Sequence, residues 1–320
     1  MATTSLYDLA ILDRADEFTG LIEDVTTLAP EFNTFAAHKR PGTWYKTVKR
    51  TTLPTIQFRN SNAGVAASKS GYKSEIKQMF FMDGRLSMDE AVWEADAAHL
   101  GALWQLEAAG AMRAASILIG QQTYYGTSAD SGGFVGLRSQ IAQSVASGGT
   151  TNSTSAYLVW MNEKEGVRYD VGQDGQFAIS APFRQQVADP ADSTKAYFAY
   201  VGNLKAWLGL NVGSNYSVFA ITGIDATQAN WMTDDKASQL LAKIPVARRD
   251  NLRWFLNRTA QSVLNRSRST INPGITTYSA AYSLQPADGG GRPAFAPLPD
   301  SCLGYPITLT DSLLNTETNS

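Results

Sequence analysis

The side chains that could do chemistry are few, and their spacing suits none of the common reactions. Two histidines, His38 and His99, and one cysteine, Cys302, are the only imidazole and thiol groups. They assemble no zinc spacing and permit no internal disulfide. A nucleophile on a strand-to-helix elbow needs Gly-x-Ser-x-Gly, and that string does not occur. Gly132-Gly133-Phe134-Val135-Gly136 has the wrong glycine spacing for a dinucleotide fingerprint, and loop-like Thr127 to Ser131 precedes it where a strand is required. Asp170, Asp174 and Gly175 begin like a calcium loop but lack the next odd-position ligand and the closing Glu, so a turn is expected. Glu163 and Glu165 fall in another turn. His99 lies on an apolar helix stripe, where a packed, hydrogen-bonded imidazole is expected. His38, beside Lys39 and Arg40, belongs to a basic loop. The expectation is a chain with no catalytic, cofactor-binding or metal-binding residue.

Charge clusters remain. Arg248, Arg249, Arg253, Arg258, Arg266 and Arg268 read as the basic face of a helix over Arg249 to Arg268, solvated or set against acidic neighbours in an oligomer. A second set, Lys46, Lys49, Arg50, Lys69, Lys73 and Lys77, flanks Tyr72 in a strand-rich segment. The formal net charge of -2 argues against a protein that grips phosphates. Only 18% of residues are charged, below the roughly 25% of average soluble chains, which implies extensive contact with partners.

The elements that would carry these clusters follow from periodicity. Leu6 to Leu28 has broadly helical apolar spacing, broken at Gly20 and closed by Pro30. Two β-branched and aromatic runs, Thr43 to Arg59 and Tyr72 to Met82, flank a small-residue tip from Ser61 to Gly71, the pattern of a long hairpin. A two-stranded ribbon of that length cannot bury itself. Ser87-Met88-Asp89-Glu90 fits a capping box, so a helix is expected to start at Ser87, with Glu90 returning its carboxylate to the Ser87 amide. Run on to Gly120, it would span roughly 50 Å, with Trp93, Leu100 and Trp104 demanding cover on several sides and Gly101 and Gly110 permitting close approach.

Ala156 to Met161, Val167 to Val171, Tyr197 to Leu210, Tyr216 to Ile224 and Tyr305 to Thr310 read as strands, and Asp234 to Lys243 as a further helix. The fold class is α+β. No apolar run approaches the ~20 residues of a membrane span, and Asp8 stands where a secretory signal carries basic residues, so a cytosolic chain is expected.

The order of elements resembles the Hong Kong 97 (HK97) fold of tailed-bacteriophage major capsid proteins. It sets an N-terminal arm at 1–42, an extended hairpin loop at 43–86, a peripheral domain with its spine helix at 87–150, a sheet-and-helix axial domain at 151–299 and a C-terminal strand and tail at 300–320. Phe134 to Leu137, Ala156 to Asp170, Tyr197 to Asp225 with Trp207 and Gly209-Leu210, Arg253 to Thr259, and Leu303 to Leu314 are similar, in order, to strings of one podovirus and siphovirus branch. The sequence departs from that branch at Asp170 to Gly175, where a Gly-aromatic-Pro-Lys-Gly turn is common.

The resemblance implies a subunit that assembles with itself into pentamers and hexamers of an icosahedral virion capsid. Such a shell would be built in the host bacterial cytoplasm, enclose DNA without reading its sequence, and involve scaffolding, portal, and cement or decoration proteins as partners, without membrane or cofactor. Its interface residues would be Lys46, Lys49, Arg50, Lys69, Tyr72, Lys73, Lys77, Arg249 and Arg253. Two rivals stand beside it: an encapsulin-like bacterial compartment and a cytosolic enzyme without a sequence signature.

Overall fold

A computed structural model describes residues 27–95, 102–172, 177–189, 194–271 and 298–318. The expected arm upstream of residue 27, His99, Leu100, Gly101, the Asp174-Gly175 turn and the Pro/Gly-rich stretch from Pro273 lie outside the described residues.

A helical turn, Glu31–Thr34, leads to strand β1 (Ala37–Lys39). Next come β2 (Trp44–Thr52) and β3 (Gly71–Gln78), antiparallel from Trp44↔Gln78 to Thr52↔Gly71, which is the expected hairpin. One residue later the chain enters β4 (Phe80–Asp89), which leaves the ribbon for a larger sheet. The helices Glu90–Ala95 and Ala102–Tyr125 follow, the second being the spine. Then come β5 (Gln143–Ala146), β6 (Thr154–Trp160), β7 (Val167–Val171), β8 (Ala178–Ile179), β9 (Phe183–Ala188), β10 (Ala196–Val212) and β11 (Val218–Ile224). A helix Asp234–Ala242, β12 (Leu252–Leu256), a helix Arg258–Ile271, β13 (Ser301–Cys302) and β14 (Tyr305–Leu309) complete the order.

Two sheets organise these elements. In the first, the 17-residue β10 pairs with β4 along one edge and with β9, β8 and β7 in turn along the other, while β1 adds parallel to β7. In the second, the order is β13-β14-β12-β6-β11-β5. Strand β6 is buried on both faces: Ala156, Leu158 and Trp160 pack with the helices at 234–242 and 258–271, whereas Tyr157 and Val159 join Ile119, Tyr124 and Tyr169 in a second core. Double burial explains why its sequence is continuously apolar and not alternating.

Three expectations need correction. Ser87 caps no helix: it lies in β4 opposite Val201, and the strand runs on to Asp89. The Asp89 carboxylate accepts from the Ala91 amide at 2.8 Å, and Glu90 bonds the Arg184 guanidinium at 2.7 Å instead of returning to Ser87. Pairing with β10 overrides the local capping signal. Second, Leu252 to Leu256 is a strand, because Leu252, Trp254 and Leu256 alternate with Phe255 onto the two cores. The following helix begins only after Asn257, whose Oδ1 accepts from the Ala260 amide at 2.8 Å. The six arginines therefore share no helix face. Third, a Cβ placed on Gly110 meets nothing within 4 Å, so this glycine serves no close approach among the described residues.

Both ends of the described chain fasten to the end of the spine helix. Glu31 is fully buried and accepts from the Thr310 and Ser312 hydroxyls, and a Cβ on Gly120 would stand 2.9 Å from its carboxylate. Glu317, also buried, accepts from the Tyr125 and Ser155 hydroxyls, and Tyr125 in turn accepts from the Leu314 amide at 2.8 Å.

These contacts make two predictions. Asp89→Ala removes a helix-start acceptor and lowers stability by about 1 kcal/mol, whereas Ser87→Ala costs less than about 0.5 kcal/mol; thermal melts of the subunit compare the two. Burial raises the Glu31 pKa above the ordinary 4.5, against the pull of Thr310 and Ser312. The stabilising form is therefore the protonated one, and its contribution is lost as pH rises through the raised value. Melts of wild type and Glu31→Gln between acid and neutral pH should show the wild type losing ground as pH climbs; a pH-independent difference counts against this reading.

Candidate assembly surface

The hairpin divides its side chains by strand alternation. Tyr45, Thr47 and Lys49 stand opposite Lys77, Glu75 and Lys73 on one face; Trp44, Lys46, Val48 and Arg50 stand opposite Gln78, Ile76, Ser74 and Tyr72 on the other. On the first face Glu75 is held among three ammonium groups, Lys49 at 2.9 Å, Lys77 at 3.3 Å and Lys73 at 3.8 Å. The hydrogen bond from Lys49, aided by the charge of Lys77, holds the Glu75 carboxyl below its usual range despite partial burial. This face turns toward the body: Lys49 Nζ donates to Asn215 Oδ1 at 3.3 Å, and Lys49, Glu75 and Lys77 share a cleft of about 440 Å³ with Gln140, Gln143 and Tyr216.

The other face turns away from the body. Trp44 is 61% exposed, Val48 65% and Ile76 70%. Tyr72 is exposed with Arg50 over its ring at 5.7 Å, and Lys46 stands free beside them. Past the paired strands, Leu53, Ile56 and Phe58 are more exposed still, Phe58 completely, and Lys69 lies in the same exposed segment. Large apolar side chains at this density on a two-stranded ribbon lack the cover that a folded body gives. Residues 43–78 hold seven of the chain's 27 basic residues and one of its 29 acidic ones, a net +6, so the remainder carries -8.

Of the expected interface residues, the structure gathers Lys46, Lys49, Arg50, Lys69, Tyr72, Lys73 and Lys77 on the hairpin and separates the other two. Arg249 caps the helix 234–242, donating to the Leu241 and Ile244 carbonyls at 3.0 and 3.1 Å. Arg253, in β12, donates to Thr308 Oγ1 at 3.2 Å. Sequence reasoning put the weight on the lysines and passed over Trp44, Val48, Leu53, Ile56, Phe58 and Ile76. Their presence in a ribbon with no third strand was the available signal.

Among the described residues no grouping of His, Cys, Asp and Glu could hold a metal ion, and no helix is long and apolar enough to cross a membrane. Cys302 is buried, and burial with Asp234 nearby pushes its thiol up to about 12, far from a reactive thiolate.

Comparison with solved structures finds two tailed-phage particles whose chains cover nearly all of this one. A chain of the bacteriophage epsilon15 particle is 20% identical, with a TM-score of 0.65 over 99% of this chain and 97% of that one. A chain of the bacteriophage JBD30 capsid is 9% identical, with a TM-score of 0.47 over 97% and 99%. None of the curated proteins compared matches. The likeness to epsilon15 identifies the hairpin, spine helix and paired sheets as the HK97-like fold. The family model for major capsid protein GP7 spans residues 33–320, from the β1 segment through the C-terminal strand, and the chain belongs to that family of tailed-phage major capsid proteins.

Proposed function

We propose that the chain closes into pentamers and hexamers of an icosahedral head, with the hairpin of each copy lying over its neighbour. The observation that carries this reading is the exposed apolar face of β2 and β3 with the tip beyond it, surface that the described residues leave uncovered. Burying it against a second copy removes Trp44, Val48, Ile56, Phe58 and Ile76 from water at about 25 cal/mol per Å². The +6 of the ribbon against the -8 of the remainder gives the contact its register and speeds encounter. Heterologous contacts of this kind close into rings when the rotation between copies permits. Weak individual contacts are then multiplied by closure.

In this reading the paired strands of the hairpin segment at 43–86 reach outward, the spine stiffens the peripheral part at 87–150, and 151–299 gathers around ring centres. The subunit does no chemistry, and the shell assembles in the host cytoplasm and encloses double-stranded DNA, with scaffolding, portal, and cement or decoration proteins as transient or peripheral partners. An encapsulin-like compartment shares the architecture but would enclose protein; purified particles holding cargo protein and no DNA would favour it.

Deleting Ser61 to Ser70 tests the hairpin's part. The variant should remain a folded, soluble subunit, by thermal melt and size exclusion, and form no closed shells in negative-stain micrographs. Particles of wild-type size and yield would refute it. In the intact protein, assembly followed by light scattering should slow as salt is raised from low ionic strength, because screening weakens the opposed charges.

A further inference from the structure

Tyr45 sits at the root of β2, and its hydroxyl donates to Asp170 Oδ2 in β7. Asp170 is 2% exposed. Its other oxygen, Oδ1, receives Arg168 Nε at 3.3 Å and Arg40 Nε at 3.4 Å. Arg168, itself 5% exposed, is pinned by donating to the Glu163 and Lys164 carbonyls of the β6–β7 turn. The Arg40 guanidinium also stands over the Tyr45 ring, 4.7 Å from its centre. One buried carboxylate thus joins the hairpin root, the first sheet and the segment after β1. Burial, then the bond to Asp170, pushes the Tyr45 hydroxyl up to about 12, so it stays a donor across the physiological range.

Among the described residues the ribbon makes two side-chain hydrogen bonds to the body, Tyr45 to Asp170 and Lys49 to Asn215. Lys49 is shared with Glu75 and borders an open cleft, whereas the Asp170 carboxylate is buried and has three donors. The ribbon is a lever. At ~3.3 Å per residue, Thr52 lies about 23 Å beyond Tyr45, and a tilt of ~10° at the root would shift it by about 4 Å, the width of a side-chain contact.

We propose that Tyr45 is a positioning residue for assembly: its bond to the Asp170 clamp fixes the elevation of the hairpin, and so the angle at which neighbouring subunits meet. This rests on the reading that the hairpin engages a neighbour, so the test has one arm that depends on that engagement and one that does not.

Tyr45→Phe keeps the ring under Arg40 and removes only the donor. In the full-length unassembled subunit, hydrogen exchange of amides in β2 and β3 should quicken by at least about tenfold, the effect of losing a hydrogen bond to a charged group, while exchange in β6 and β12 stays unchanged. In assembly, the same variant should give a broadened distribution of shell diameters or open sheets in electron micrographs. Arg40→Met, which leaves the Tyr45 hydroxyl in place, should move both readouts in the same direction by less, and it decides the matter should Tyr45→Phe fail to fold. Unchanged exchange in β2 and β3 overturns the clamp whatever the particles look like. Faster exchange with shells of wild-type diameter overturns the positioning role. Normal shells from the Ser61–Ser70 deletion would instead remove the neighbour-engagement reading and leave the exchange result standing.

Discussion

Ten consecutive residue pairs between β4 and β10, from Phe80↔Leu208 to Asp89↔Ala199, determine where every outward-reaching part of the subunit begins. β4 is separated from β3 by Met79 alone, so the hairpin inherits its direction from this pairing, and the chain passes from Asp89 straight into the helix Glu90–Ala95. β10 can serve as the common rail because its opposite edge is occupied along nearly its whole length by β9, β8 and β7. A slip of one residue would turn each β4 side chain to the wrong face, exposing Met88 and burying Asp83 or Arg85.

Much of this was legible in the residues. The hairpin followed from two β-rich runs about a small-residue tip, and β6, β7, β10, β11 and β14 from their aromatic and β-branched stretches. The misreadings arose where a local signal met a stronger tertiary one. Ser87-Met88-Asp89-Glu90 has the composition of a capping box, yet β10 offers it a full ladder, and the helix start moves to the Asp89 carboxylate. Arg249 to Leu264 has helical apolar spacing, but Trp254 and Phe255 are needed on opposite faces of one sheet, which only a strand achieves.

The assembly surface was half legible. Its lysines stand out in sequence because they cluster, while Trp44, Val48, Ile56 and Phe58 do not, since apolar residues in a strand are expected to find a core. That β2 and β3 have no third partner among the described residues turns them into unsatisfied surface, a consequence the hairpin pattern carried but the side chains themselves did not. The pairing of Tyr45 with Asp170, 125 residues later, leaves no mark on local pattern at all.

The fastening of Glu31 beside Gly120 and of Glu317 to Tyr125 brings both ends of the described chain to the final turns of one helix. Mechanical load entering at either end of the described chain is therefore shared between that rigid rod and, through Ser155, strand β6, and it pulls across several polar contacts at once instead of peeling strands apart one bond at a time.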